Sequence, residues 1–270
     1  MDGDGQPTAL DERGPAHSRA SLGVGTGARD IERGAYVVAA LLVASGLVHL
    51  GVLVVSGGPW LGPVSLRKAL TFGLSFGLTL AAVTWVTSSL ALRPATRTVL
   101  LATFTAVSVL ETALVTMQAW RGVPSHLNFA TGFDTAVSMT LAGGGGLIIV
   151  TVLGFAAGAV GGAARRLSPS MRLAVHSGFA LLVVGLAVGG VMIGSGVTEA
   201  RTGNAQLAYS AMSTLKPVHG VALHAILVLP ALAWALGRTR WSERRRVRAV
   251  AAAAVAYVAM VVIVAVLTGL

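Results

Sequence analysis

Long apolar runs separated by short polar or basic breaks occupy the chain from Ala35 onward. A hydrocarbon layer about 30 Å thick takes about 20 apolar residues in a helix rising about 1.5 Å per residue. Seven runs reach that length, near 35–56, 69–92, 98–120, 137–160, 173–195, 218–237 and 248–268. They predict an all-α fold, a polytopic bundle of seven transmembrane helices filling residues 35–270. The preceding segment, 1–34, is rich in Gly, Asp, Arg and Ser, holds six of the ten acids and has no apolar stretch, which predicts a disordered tail. The first apolar run is already long enough to span, so it reads as an uncleaved anchor rather than a signal peptide.

Composition agrees: 54% of residues are hydrophobic and 11% charged, where a soluble domain carries roughly a quarter charged residues. The absence of cysteine excludes disulfides, thiolate metal sites, c-type haem attachment and a cysteine nucleophile. A net charge of +10 in a soluble domain would point to nucleic acid, but here the bases lie between the spans. Assigned to alternate sides, 15 of the 20 Lys and Arg fall with the tail, the 93–97 turn, the 161–172 loop and the 238–248 loop. The other side holds Arg67, Lys68, Arg121, Arg201 and Lys216. The positive-inside rule then puts the N-terminus in the cytoplasm and the C-terminus outside the cell membrane, with membrane lipids rather than nucleic acid as the partner of the basic loops. A reporter active only in the cytoplasm, fused after Leu270, is expected to be silent; strong signal there would refute the orientation or the number of spans.

Glycines recur at intervals of four in three spans: Gly73 and Gly77, then Gly154, Gly158 and Gly162, then Gly185 and Gly189. Such spacing lets helix backbones approach closely. The run Gly143 to Gly146 gives up about 1 kcal/mol of helix propensity per residue and marks either an unwound point beside a cavity or a crowded helix crossing. The ends of spans one and five, Gly46 to Gly57 and Gly185 to Gly196, are identical at six of twelve positions. Further on, Ser65, Leu66 and Arg67 correspond to Thr214, Leu215 and Lys216, and at the same offset Trp85 falls on Trp234. These matches predict a duplicated 3+1+3 layout with both triplets in the same orientation, a parallel repeat of the kind some transporters use.

Beyond the tail only Glu111, Asp134, Glu199 and Glu243 are acidic, and three of them fall towards the outer side together with His49, His126, His219 and His224. His49, Glu111 and His224 lie at similar depth, about 10 to 14 Å below the outer ends of their spans by helical rise. Ionisable side chains at such depth face the bundle interior and mark a pathway or site. Glu111 and Gln118 are seven residues apart on one helical face, whereas His219 and His224 are about 140° apart around theirs. The loop from Gln118 to Asp134 interleaves Arg121, Ser125, His126 and Asn128 with Trp120, Phe129 and Phe133. It either folds over the mouth of the bundle or anchors at the interface. The 197–217 loop adds Glu199, Arg201, Asn204, Tyr209 and Lys216 on that side.

Glu111, the run QAWRGVPSHLN from Gln118 to Asn128, the pair Phe133 and Asp134, and HGVALHA from His219 to Ala225 resemble a group of uncharacterised bacterial multi-pass membrane proteins over about 70–225. The resemblance implies a membrane family and no particular activity. Microbial rhodopsins share a 3+1+3 plan but need a Schiff-base lysine in the last span, and 248–270 contains none. The Pro-Gln pair of PQ-loop sugar transporters is also missing, as are the phosphate-loop, nucleophile-elbow and Asp-rich prenyltransferase patterns.

Three functions fit the polar residues. In the first, an outward-facing His/Glu site binds haem b, a metal ion or a quinone in a redox role. His49 and His224 would then be axial ligands, or metal ligands together with Glu111, with His219 at the rim and Arg121 pairing with propionates or an anionic headgroup. In the second, Glu111 is the general acid of an enzyme acting on a lipid or terpenoid, partnered by His126, Asp134 or His224. In the third, the protein is a small-molecule or proton-coupled transporter, with Glu111 carrying the proton.

Overall fold

The computed structural model describes residues 26–201 and 205–268, and within them the chain is all helical. Its helices are α1 (Thr26–Ser56), α2 (Arg67–Ser88), α3 (Pro94–Trp120), α4 (Gly132–Gly158), α5 (Pro169–Arg201), α6 (Ala205–Leu223), α7 (Ala225–Gly237) and α8 (Glu243–Leu267). Seven stretches are long and apolar enough to cross a membrane: Asp30–Ser56, Arg67–Ser88, Pro94–Trp120, Gly132–Ala163, Pro169–Ala200, Ser213–Gly237 and Glu243–Leu267. The protein is therefore a multi-pass membrane protein. The tail expectation for 1–34 falls mostly outside the described residues, and its described part, 26–34, is the opening of α1.

The sixth span is made of two helices, α6 and α7, meeting at His224. Pro230 in α7 has no amide proton for the carbonyl four residues earlier, and its ring crowds that carbonyl. At the junction the His224 amide turns to Val221 O at 3.3 Å, while the His224 imidazole Nδ1 takes the Gly220 carbonyl at 2.6 Å. The side chain thus satisfies a carbonyl that the tightened backbone has released.

Helices α1, α2 and α3 pack on one another, and α5, α6, α7 and α8 form a second group. Helix α4 bridges α3 and α5, and α2 meets α7 across the centre. Small residues set the closest approaches. A Cβ on Gly73 would lie 2.7 Å from Gly46 N and Leu42 O, and one on Gly185 would lie 3.0 Å from Leu223 N. Larger residues there would force the helices apart. Gly162 serves otherwise: its φ of 113° ends the π-helical turn Ala159–Ala163 that closes α4, so it makes a turn rather than a packing face. The run Gly143 to Gly146 lies inside an unbroken α4, which overturns the unwound-point reading, and only Gly144 of the four meets a close neighbour, so the run as a whole is not a crowded crossing either.

Two faces of the bundle differ. The face carrying the turns at 89–93, 164–168 and 238–242, called here the basic face, encloses the main apolar core, in which Leu80, Val83, Leu101, Phe104, Val152, Phe155, Phe179 and Ile226 are buried. A second apolar cluster, with Leu181, Val218, Ala222, Leu229 and Val261, runs between α5, α6, α7 and α8, while between α3 and α4 a small one holds Val115, Val137 and Leu141, with Phe72 against them. The polar residues Glu111, Gln118 and Asp134 flank that small cluster.

On the basic face, Arg97 is buried and donates from Nη2 to Thr87 O at 3.0 Å, Ser88 O at 3.4 Å and Leu90 O. Its Nη1 reaches Glu32 Oε1 of α1 at 3.3 Å. Arg246 makes the matching contact in the second group, donating from Nη2 to Thr239 O at 2.8 Å and from Nη1 to Glu243 Oε2 at 3.5 Å. Arg97 and Arg246, Leu90 and Thr239, Ser88 and Gly237 at helix ends, Pro94 and Glu243 at helix starts, and Trp85 and Trp234 are all separated by the same interval. The Trp85 and Trp234 rings touch edge to face, with centroids 6.3 Å apart. Glu243 lies in the basic turn as expected, and besides Arg246 it caps α5 by accepting from Ser170 N at 2.7 Å.

Candidate functional site

Helix α3 turns Glu111 towards α4, where it is 3% exposed. A Cβ on Gly144 would overlap Glu111 Oε1 and lie 3.4 Å from Val107 Cγ1, so the missing side chain of Gly144 is the room that the carboxyl occupies. Among the described residues, Glu111 Oε1, Thr112 Oγ1 and Thr116 Oγ1 are buried without a hydrogen-bond partner. Burying a carboxyl oxygen without a hydrogen-bond partner is costly, so packing alone gives no reason for an acid at this place. A carboxyl with a free oxygen at this depth is equipped to take up and give back a proton.

Seven residues nearer the surface on the same face, Gln118 is fully buried and donates from Nε2 to Asp134 Oδ1 at 3.0 Å. Arg121 Nη1 donates to the same oxygen at 2.6 Å and also to Gln118 Oε1. Thr131 Oγ1 donates to Asp134 Oδ2 at 2.8 Å and accepts from the Asp134 amide at 3.1 Å, a capping arrangement that starts α4. Both Asp134 oxygens are therefore engaged, and the geometry makes Asp134 and Arg121 a clasp between α3 and α4. Arg121 also lies over the Phe133 ring at 4.8 Å.

The connecting loop folds inward. Ser138 Oγ accepts from Asn128 N at 3.0 Å and donates to Asn128 O at 3.1 Å. Asn128 Nδ2 reaches Pro124 O at 3.3 Å, and its Oδ1 accepts from Ala130 N at 3.2 Å. These bonds hold Leu127 at a φ of 58°, uncommon for a residue with a side chain. Trp120 and Phe133 point outward at 62% and 54% exposure, so the loop both folds over the mouth and carries interfacial aromatics.

The inward fold seats His126, with Nδ1 3.0 Å from Ser125 Oγ and its ring 5.8 Å from that of Phe72 on α2. Burial, reinforced by the ammonium charges of Lys68 and Lys216, pulls the imidazole down to about 4, which keeps it neutral near pH 7. His126 also borders a cavity of about 30 Å³ with Ser138, Met139 and Ile193, roughly the space of one water.

The other described histidines are tied to backbone carbonyls. His49 Nδ1 donates to Ser45 O at 2.7 Å, and its Nε2 accepts from Trp120 Nε1 at 3.0 Å, so both nitrogens are in use. His219 Nδ1 reaches Gly185 O at 2.7 Å, and a Cβ on Gly189 would come within 2.8 Å of its Cε1. The small residues of α5 thus form a seat for this ring. His224 stands at the α6 and α7 junction, which packs on α5, α2 and α8, while His49 is on α1, which packs on α2 and α3. Among the described residues no three His, Asp or Glu side chains converge to hold a metal ion, so His49, His224 and Glu111 do not form a ready ligand set. Coordination by His49 would first require it to release Trp120.

Sequence reasoning missed Gly144 as the counterpart of Glu111, because four equivalent glycines give no sign of which one faces α3. It also missed the approach of Lys68 and Lys216 to His126, since they belong to helices 148 residues apart in the chain. The asparagine and serine latch under the loop had only a polar composition as its signal.

Comparison with protein-family models, curated proteins and solved structures finds no match for this chain.

Proposed function

We propose that the protein is a proton-coupled small-molecule carrier in which Glu111 takes up and releases the proton. The observation that carries this reading is the buried Glu111 carboxyl, with Oε1 unpartnered and seated against Gly144 inside a membrane-spanning bundle. An acid-catalysed enzyme would need a substrate-sized space next to that carboxyl. Glu111 instead faces packed helix, the cavity near His126 is water-sized, and the groove of about 330 Å³ beside His176 borders Ala159 and Phe179 at the basic end. A solute meets Glu111 only if helices move, which is how a carrier works.

We also infer that the two helix groups are copies of one unit. The matching Arg97 and Arg246 contacts, the equal spacing of helix ends and the contact between Trp85 and Trp234 support it. Equivalent residues touch one another when they lie beside an axis relating two copies. With the basic face in the cytoplasm, that axis runs along the membrane normal, and the polar mouth faces outward.

The test is uptake into proteoliposomes enclosing a pH-sensitive dye, with carboxylate, phosphate, amine and sugar solutes offered under an inward acid gradient. At least one solute is expected to acidify the lumen with wild type and to lose that effect in Glu111→Gln, which should fold normally. Equal proton entry in Glu111→Gln would remove Glu111 from the mechanism, and no acidification by any solute would remove the carrier reading.

A further inference from the structure

Where α4 ends and α5 begins, the two spans part around the groove of about 330 Å³. Ala156, Ala159 and Val160 form one wall, and His176, Ala180 and Val183 of α5 form the other. Val160 is 75% exposed and Ala180 is exposed too, so within a membrane the groove opens on lipid tails and not on water. Arg172, His176, Ala180 and Val183 recur at intervals of three and four, which puts them on one face of α5 with Arg172 at the basic end. The rise from Arg172 to Val183 is about 16 Å, the depth of one leaflet in a hydrocarbon layer about 30 Å thick.

The walls are joined near the basic end, where His176 Nε2 donates to Ala159 O at 3.3 Å, at the first residue of the π-helical turn. That turn closes at Gly162, where a Cβ would lie 3.0 Å from Arg165 Nε and 3.2 Å from its Cζ. The Arg165 guanidinium therefore lies back over the last turn of the span, beside the end of the groove. Arg165, Arg166 and Arg172 are all exposed and make no ion pair with any described acid. The described acids of the basic face are engaged elsewhere: Asp30 with Arg33, Glu32 with Arg97, and Glu243 with Ser170 and Arg246. Three cations thus stand without a countercharge around the mouth of an apolar groove one leaflet deep. Basic pockets between membrane-spanning helices are suited to anionic lipid headgroups.

We propose that this groove is a binding site for one anionic phospholipid, its acyl chain lying along His176, Ala180 and Val183 and its phosphodiester held by Arg165, Arg166 and Arg172. Basic turns alone draw anionic lipid to a whole face without fixing any one molecule. Here the groove adds a seat for the chain, so charge and packing act on the same lipid. A lipid in that seat braces α4 against α5, and α4 is the helix that bridges the two groups. The site is about 18 Å along α4 from the notch that Gly144 gives to Glu111, and it does not depend on the carrier reading.

The test is native mass spectrometry of the full chain in neutral detergent, titrated with dioleoyl phosphatidylglycerol or dioleoyl phosphatidylcholine. Wild type is expected to retain one phosphatidylglycerol in preference to phosphatidylcholine. The Arg165→Gln/Arg166→Gln/Arg172→Gln variant should bind it at least about ten-fold more weakly. Ala180→Leu fills the groove and leaves every charge in place, so it should weaken binding at least about three-fold through lost packing contacts. Arg240→Gln/Arg244→Gln/Arg248→Gln removes as much charge from the neighbouring basic turn, and it should bind like wild type. Equal weakening by the two triple variants would overturn the site in favour of a general attraction to the basic face. Wild-type affinity in Ala180→Leu, or no preference for phosphatidylglycerol, would overturn it as well. All the substituted residues are exposed, and the unfolding temperature in lipid-free detergent is expected to match wild type in each variant, which separates lost lipid from lost fold.

Discussion

Arg97→Ala is expected to destabilise the protein by about 3 kcal/mol, the scale for removing one member of a buried, hydrogen-bonded charge pair. The change leaves Glu32 without its guanidinium and strips donors from the carbonyls of Thr87, Ser88 and Leu90, at the end of α2 and just beyond it. Those carbonyls are orphans of the helix terminus, and the planar guanidinium is the group that reaches several of them at once. Arg97→Lys keeps the charge but supplies one point donor, so it should recover only part of the loss. Arg93, exposed in the same short turn, is the control: Arg93→Ala should stay within about 0.5 kcal/mol of wild type. The measurement is equilibrium unfolding in mixed micelles followed by tryptophan fluorescence. Equal stability of the Arg97 and Arg93 variants would show that the buried guanidinium does not hold α1, α2 and α3 together. Arg246→Ala, at the matching place in the second group, should cost less, because Arg246 is only half-buried and reaches one carbonyl in place of three.

The contrast between Arg93 and Arg97 also marks what could be read from the sequence. Spans were legible because crossing a membrane is a demand on length and apolarity, both of which are local to the chain. Close packing at Gly73 and Gly185 was legible for a similar reason, since small residues at helical spacing leave a groove whatever lies opposite. Arg97 looked like any topology signal, because its burial is decided by Glu32 and by the end of α2, neither of which its own neighbours reveal. The same limit applied to the histidines. Depth along a helix grouped His49 with His224, but which way each ring turns depends on Trp120 in one case and on a released carbonyl in the other. Asp134 and Arg121 were legible as polar and outward but not as partners, since the loop between them had first to fold back.

The pairing of Glu111 with Gly144 allows structure and function to be tested together. Gly144→Ala is expected to cost about 1 to 3 kcal/mol, the usual penalty for overfilling a packed interior, because the new methyl group overlaps Glu111 Oε1. Elsewhere in the run the sign should reverse. Nothing lies within 4 Å of a Cβ on Gly143 or Gly146, so alanine there should be neutral or should stabilise α4 by up to about 1 kcal/mol through helix propensity. Combining Gly144→Ala with Glu111→Ala removes the clashing oxygen, and the cost of the methyl group should then largely disappear. A coupling energy near zero in this double-mutant cycle would mean that the two residues do not share the space. Glu111→Gln provides the complementary comparison, because an amide of the same shape occupies the same notch and should leave stability close to wild type. If Gly144→Ala also lowers proton-coupled uptake while Gly143→Ala does not, the position of the carboxyl, and not merely its presence, is what the carrier requires.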